Sequence, residues 1–309
     1  MNALSIDSGG TKVVGAVVDQ HGCILAKVRY DVPKRDGDCL IEIYTNIFNQ
    51  YRSEFQIDVV GIGANGRIDP VRGIVLDSGV HANWDGRHLL EELQTVWGNI
   101  PICIHNDCHC AIKGELWKGA AHEFDIVAGI IIGTGLGGAL VDHGRFWYGN
   151  RYSAGEIGHT ILHHQGLSCY CGQKGCAERY VSGTALWQNY NSKCGKADLS
   201  SGYQFFDRYQ VGDPIALSVM NEFIDGLKLL MINVSNLCAP EAILIGGGIA
   251  DTKDVWGKTL EERYRDEVSE YLRETRIVYA STGNDAAVYG AAKFAFELLE
   301  ATTERGKIS

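Results

Sequence analysis

Apolar positions along this chain follow two rhythms. Short runs rich in branched aliphatic residues, as at residues 3–6, 13–18, 59–64, 100–104, 126–132 and 242–245, have the pattern of buried strands. Between them the apolar residues return at helical spacing from Cys39 to Phe55, His88 to Trp97, Pro214 to Ser235 and Leu260 to Tyr271, with a closing helix from Ala286. Strands alternating with helices predict an α/β protein.

Glycine punctuates the strand-like runs. Residues 3–7 (ALSID) pass through Gly9-Gly10-Thr11-Lys12 into the apolar run from Val13 to Val18, which reads as strand, tight turn, strand. The run from Ile126 to Val141 repeats that pattern around Gly133-Thr134-Gly135-Leu136-Gly137-Gly138. Two such units about 120 residues apart suggest two domains built on one ancestral unit. The expected division is a small N-terminal α/β domain over residues 1–118 and a larger one over 119–286, parted by a helix from Cys110 to Gly119. The closing helix, 287–309, is expected to pack back on the first domain. A third strand, 242–245, enters the turn Gly246-Gly247-Gly248.

Composition narrows the classes. With 309 residues, 45% of them hydrophobic, the chain can bury a large core. A formal charge of −10 speaks against nucleic acid, whose phosphates demand a basic surface. No run of 18 apolar residues offers a membrane span, and the strand-like start MNALSID points to a cytoplasmic protein. Ten cysteines in so long a chain, some at CxC and GxxGC spacing, read as reduced thiols and ligands, not as a disulfide framework.

A glycine turn lets backbone amides approach an anion with no Cβ in the way, which suits phosphate. Asp7 ends its strand, where a carboxylate can hold magnesium, and Thr11 and Lys12 add a hydroxyl and a positive charge. The plain alternative is a hairpin turn with no ligand. Neither turn fits GxxxxGK[ST], and the second is only a loose relative of GxGxxG. Asn65, Gly66 and Arg67 end another strand, and the chain runs on to Asn83 and Trp84. Polar residues at strand carboxyl ends commonly line a ligand crevice. The strand at 100–104 delivers Asn106-Asp107. Asp107 could take a proton from an alcohol; on the pair alone, a helix N-cap is the better-supported reading.

Gly155-Glu156-Ile157-Gly158-His159 is followed by Cys169, Cys171, Cys176 and Glu178. Three thiolates and an imidazole make a closed tetrahedral set for structural zinc, with His159, Cys169, Cys171 and Cys176 as candidates. His163 and His164 are rivals for the fourth position, and buried cysteines without metal are the alternative. Glu156 and Glu178 are then held beside the metal loop and left to bind a polyol.

Asp7-x-Gly9-Gly10-Thr11-Lys12, Asn106-Asp107, Gly133-Thr-Gly-x-Gly-Gly138, GExGH from Gly155, CxCGxxGCxE from Cys169 and Gly246-Gly-Gly248 resemble, in order and over the whole chain, the motifs of the ROK family (repressors, open reading frames and kinases). The pairing of GExGH with CxCGxxGCxE carries most of the specificity. The resemblance implies two actin-like (ribonuclease H-like) ATPase domains with a ligand cleft between them, a homodimer, and ATP, magnesium and structural zinc as cofactors. It implies Asp107 as general base on a sugar hydroxyl. Asp7, Gly9, Gly10, Thr11, Lys12, Gly133, Thr134, Gly135, Gly137 and Gly138 would hold phosphates and magnesium, with Gly246, Gly247 and Gly248 against the nucleoside. Asn83, Asn106, Glu156, His159 and Glu178 would bind the sugar.

The repressor branch carries an added N-terminal DNA-binding domain, whereas here the phosphate motif begins at residue 7; a kinase is expected. The run from Gly66-Arg67 to Gly73 is similar to the N-acetylmannosamine kinase half of the animal epimerase/kinase, whose Gly-Arg pair lies by the acetamido group. That enzyme has threonine where Gly79 stands here. The expected reaction is ATP-dependent phosphorylation of N-acetyl-D-mannosamine at O6, with glucose, N-acetylglucosamine, fructose, mannose or allose as alternatives. A non-catalytic sugar sensor is the alternative of another class. Asp107 favours the kinase, because a sensor needs no base.

Overall fold

The computed structural model describes residues 1–306, with side chains through Thr303. The last three residues of the closing helix expected over 287–309 lie outside the described residues. The chain forms two compact units, one of Met1–Glu123, Tyr148–Ser153 and the stretch from Ser281, the other of Phe124–Trp147 and Ala154–Ala280.

In the first unit, β1 (Asn2–Ser8), β2 (Lys12–Asp19) and β3 (Ile24–Asp31) form an antiparallel meander. Helix α1 (Gly37–Glu54) follows, then β4 (Val59–Ala64), the small hairpin β5 (Arg67–Asp69) and β6 (Ile74–Asp77), and α2 (Leu89–Trp97). Strand β7 (Ile102–Asn106) runs directly into α3 (Asp107–Lys118). The main sheet has the order β3-β2-β1-β4-β7, with β4 parallel to both β1 and β7. All six residues of β4 are buried, as a central strand covered on both faces requires. Leu4, Ile6, Val60 and Ile62 pack against Leu40, Tyr44 and Ile47 of α1.

The second unit repeats the plan. Strands β8 (Ile126–Ile132), β9 (Leu136–Asp142) and the short β10 (Arg145–Phe146) are antiparallel. Helices α4 (Gly183–Cys194), α5 (Gly202–Gln210) and α6 (Pro214–Cys238) lead to β11 (Ala242–Gly246). After α7 (Gly257–Glu267) comes β12 (Arg276–Tyr279), and the sheet order is β10-β9-β8-β11-β12. Both sheets thus place three antiparallel strands beside a parallel pair. Asp213 caps α6 by accepting from the amides of Ile215 and Ala216, at 2.8 and 3.0 Å.

The helix expected from Leu260 to Tyr271 ends at Glu267. Val268 is buried in extended conformation, and a separate 3-10 turn covers Glu270–Leu272. Helices α4 and α5 were not anticipated from the pattern.

Helix α8 (Ala286–Gly306) returns to the first unit and packs on α3. A Cβ on its Gly290 would lie 1.7 Å from the carbonyl oxygen of Cys110, so only glycine allows so close a crossing. The Ser5 hydroxyl donates to Val288 O at 2.6 Å, tying α8 to β1. Glu115 on α3 accepts from the amides of Ala120, Ser281 and Thr282 at 2.8–3.0 Å, binding the stretch that leads into α8. The first unit also runs past residue 118 to Glu123 and takes in Tyr148–Ser153, a piece of the range expected for the second domain. No helix among the described residues is long and apolar enough to cross a membrane.

Candidate functional site

In the first unit β1, β4 and β7 end side by side, since Ala64 pairs with both Ser8 and Asn106. The turn after β1 is closed by Gly9 N donating to Lys12 O at 3.0 Å. Burial, then the nearby Asp107, pushes the Asp7 carboxyl up to about 7, with Lys12 opposing and Asp285 adding to the rise. Asp285 pairs with Lys27. A carboxyl raised by burial and by a neighbouring carboxylate suits a divalent cation, whose charge would favour its ionised form.

The Asn106-Asp107 pair divides two duties. Asn106 is the N-cap of α3, its side chain accepting from His109 N at 3.1 Å, while Asp107 is the first helical residue. The Asp107 carboxylate accepts from Asn106 Nδ2 and from Cys108 N, both at 2.9 Å. Its pKa is raised, chiefly by burial, while hydrogen bonds from Cys108 and from the Asn65 side chain work the other way. The cap therefore does not consume the carboxylate, which stays oriented and basic enough to accept a proton.

Around it, Asn106 Nδ2 also donates to Gly66 O at 2.9 Å, and Trp84 Nε1 donates to Asn65 O at 3.1 Å. Gly66 has φ +104, and a Cβ there would meet Asp77 O at 2.5 Å. Arg67 is engaged by its own unit: its guanidinium holds Asp77 and donates to Arg151 O at 3.0 Å and Ser153 Oγ at 2.8 Å. Arg151 and Tyr152 sit at φ 56 and 55, in the left-handed region, so this segment depends on outside anchors. Tyr148 supplies another, its hydroxyl 3.1 Å from His105 Nδ1. Asn83 is exposed at φ 54, its Nδ2 3.4 Å from Asp36 Oδ1.

In the second unit the turn between β8 and β9 comprises Gly133, Thr134 and Gly135, whereas Gly137 and Gly138 lie inside β9. A Cβ on Gly138 would come 2.4 Å from Ile157 Cδ1, so that position serves packing of the GExGH segment. The start of α4 holds the turn through Gly183 N to Gly133 O, 2.8 Å, and Thr184 N to Thr134 O, 3.2 Å. Glu178 holds it from the side of the cysteine loop, Oε2 accepting from Leu136 N at 3.0 Å. After β11, Gly247 takes φ +86 with Ile132 O close by, and Gly248 faces open space.

His159, Cys169, Cys171 and Cys176 converge, with all four ligand atoms within 4.8 Å of one another. Cys171 Sγ and Cys176 Sγ are 3.6 Å apart, and Cys169 Sγ lies 3.7 Å from His159 Nδ1. A zinc–sulfur bond of about 2.3 Å gives a tetrahedral edge of about 3.8 Å, so the donor set fits zinc in chemistry and in size. The rival His163 packs its ring on Tyr180, centroids 4.4 Å apart. Glu156 is exposed at the entry to this loop. Two residues escaped the sequence reading of the site. Tyr170, between Cys169 and Cys171, brings its hydroxyl 3.3 Å from His159 Nε2, and Asp285, in the turn just before α8, adds its charge to the rise at Asp7. Neither has a local sequence signal.

The ROK family sequence model matches residues 3–297. Among curated proteins, the glucokinase of Thermotoga maritima is 29% identical over 307 residues, covering 94% of this chain and 96% of that one. The N-acetyl-D-glucosamine kinase of Vibrio cholerae serotype O1 is 29% identical over 300 residues, covering 93% and 97%. Among solved structures, a Listeria monocytogenes protein proposed to be an N-acetylmannosamine kinase superposes with TM-score 0.85 at 27% identity, covering 98% of this chain and 100% of that one. A family model that matches nearly the whole length and a solved structure that superposes over nearly all of the chain lead to one conclusion: the chain belongs to the ROK family and has its two-domain actin-like ATPase fold.

Proposed function

We propose that this protein is an ATP-dependent sugar kinase, and that it transfers the γ-phosphoryl group of ATP to O6 of an N-acetylhexosamine or hexose, N-acetyl-D-mannosamine first among them. The observation that carries the reaction is the division of labour at Asn106-Asp107: the asparagine caps the helix, and the aspartate carboxylate is left half-buried, oriented and raised in pKa. In this reading Asp107 takes the proton of the C6 hydroxyl as its oxygen attacks the γ-phosphorus in line and ADP leaves. Asn83, Asn106, Glu156, His159 and Glu178 hold the sugar hydroxyls. Asp7 with the 9–12 turn, and the 133–135 turn, hold the phosphates, with Gly246, Gly247 and Gly248 against the nucleoside. Asp7 would hold magnesium, which would supply neutralisation of the charge developing on the phosphate oxygens. His159, Cys169, Cys171 and Cys176 would hold a structural zinc that braces the loop bearing Glu156 and Glu178. Assembly as a homodimer belongs to the same proposal.

The similarity of the Gly66-Arg67 run to N-acetylmannosamine kinase supports the acetamido sugar. A plain hexose is the second reading, favoured by the engagement of Arg67 with Asp77, Arg151 and Ser153. ADP release measured across N-acetylmannosamine, N-acetylglucosamine, mannose, glucose, fructose and allose tests both. N-acetylmannosamine should exceed mannose in kcat/KM by tenfold or more, on the order of 1–3 kcal/mol for satisfying buried polar groups. Equal values would transfer the assignment to a plain hexose, and absence of ADP release with every sugar would leave a sensor.

A further inference from the structure

Asn65 is the first residue beyond β4, the strand between β1 and β7, and so stands beside both the 9–12 turn and Asp107. Its backbone is held from two directions. The buried Trp84 indole donates to the Asn65 carbonyl, and Asn106 Nδ2 donates to the carbonyl of Gly66. The side-chain amide helps keep Asp107 charged, which is how its nitrogen is used. Its oxygen is a different matter. Asn65 Oδ1 is buried and has no hydrogen-bond partner among the described residues. A buried acceptor left unpaired costs about 1–3 kcal/mol, and such an atom beside a general base calls for a donor on the ligand.

Which donor follows from sugar chemistry. The two heteroatoms of a primary amide share one carbon, so an amide whose nitrogen serves Asp107 presents its oxygen to the neighbour of the hydroxyl that Asp107 deprotonates. On a hexopyranose reacting at O6, that hydroxyl is flanked by the ring oxygen and by O4. The ring oxygen is an acceptor only and cannot pair with Oδ1. The O4 hydroxyl can donate.

We propose that Asn65 is a substrate-contacting specificity residue whose side-chain oxygen accepts a hydrogen bond from the O4 hydroxyl of the sugar. The inference rests on the reading of Asp107 as base for O6. It makes the configuration at C4 a determinant of acceptance, through a residue distinct from those assigned to the sugar above.

The test is calorimetric binding of N-acetyl-D-mannosamine and its 4-deoxy analogue, or of glucose and 4-deoxyglucose if the panel selects glucose. The unmutated protein should bind the parent sugar more tightly by about tenfold or more, the worth of satisfying one buried acceptor. In Asn65→Leu, which keeps the volume and removes the acceptor, the ratio should fall towards one. Asn65→Ser, checked for folding by circular dichroism, should also lower it. A ratio equally large in folded Asn65 variants, or no preference in the unmutated protein, overturns the inference. Asp107→Asn in the same titrations keeps the two readings apart. If it retains near-normal turnover, the base reading fails, while the binding ratio still reports on Asn65.

Discussion

Glu178 is the side chain through which the Cys3His loop holds the glycine turn. Its Oε2 accepts from Leu136 N at 3.0 Å, and a Cβ on Gly135 would lie 2.6 Å from that oxygen. If the 133–135 turn holds phosphates, Glu178→Ala removes a charge-assisted hydrogen bond worth about 1.5–3 kcal/mol and strands a backbone amide. The bonds from Gly183 and Thr184 remain, so this sum is a ceiling on the loss of turn order. At 1.4 kcal/mol per decade, nucleotide affinity should weaken by about tenfold and by no more than about 150-fold. Glu178→Gln, which keeps a neutral acceptor, should fall between. The assay is calorimetric titration with a magnesium complex of a non-hydrolysable ATP analogue, without sugar, on protein whose zinc content has been measured. Affinity within twofold of the unmutated protein would refute the reasoning and leave Glu178 a sugar ligand alone.

Other outcomes are expected. Asp107→Asn keeps hydrogen-bonding shape but loses basicity, so kcat should drop on the order of 10²-fold or more while calorimetry still detects the sugar; unchanged turnover removes Asp107 from the mechanism. Cys176→Ser should lower zinc content from one per chain and raise the KM for sugar; an unmutated protein found free of zinc by metal analysis, when purified without chelator, defeats the metal reading. His105, stacked on Phe294 at 3.7 Å, and His109, beside Tyr148, are lowered by burial to about 3 and about 4. Both are neutral in the folded state and protonate in the unfolded chain below about 6.5, so the stability they contribute is present above that pH and is lost as pH falls towards their folded values. Melting followed from pH 7 to pH 5 should show destabilisation of at most about 1.4 kcal/mol per pH unit per histidine, reduced in His105→Phe; an identical slope in that variant counts against His105 as the source.

The strand ends and the Cys3His cluster were legible because their signals are local. The buried runs of β1, β4, β8 and β11 are short and nearly continuous, and Cys169, Cys171 and Cys176 fall within one glycine-rich loop. His159 as the fourth member of that cluster was legible only as one of three histidines. What separates it from His163 is the edge-on packing of the latter against Tyr180, a contact across the loop. The roles within Asn106-Asp107 were harder, since a shift of one residue in the start of α3 exchanges the capping side chain and the carboxylate left free of the cap. The early end of α7 was hidden for a similar reason: the spacing continues to Tyr271, but the backbone turns at Val268.

By itself, then, the sequence determined the alternation of strands and helices, the repeated glycine hairpin, the ligand types and the family they match, all written in residues close together in the chain. Tertiary structure alone decided what those pieces do to one another. It drew Tyr148–Ser153 into the first unit through Arg67, and it left the Asn65 oxygen buried beside Asp107. It also set Glu178 against Leu136, 42 positions away, although their separation along the chain argues for independent metal and phosphate loops. Hydrogen bonds act over about 3 Å whatever the chain distance, so such couplings appear only once both sheets and their loops have closed.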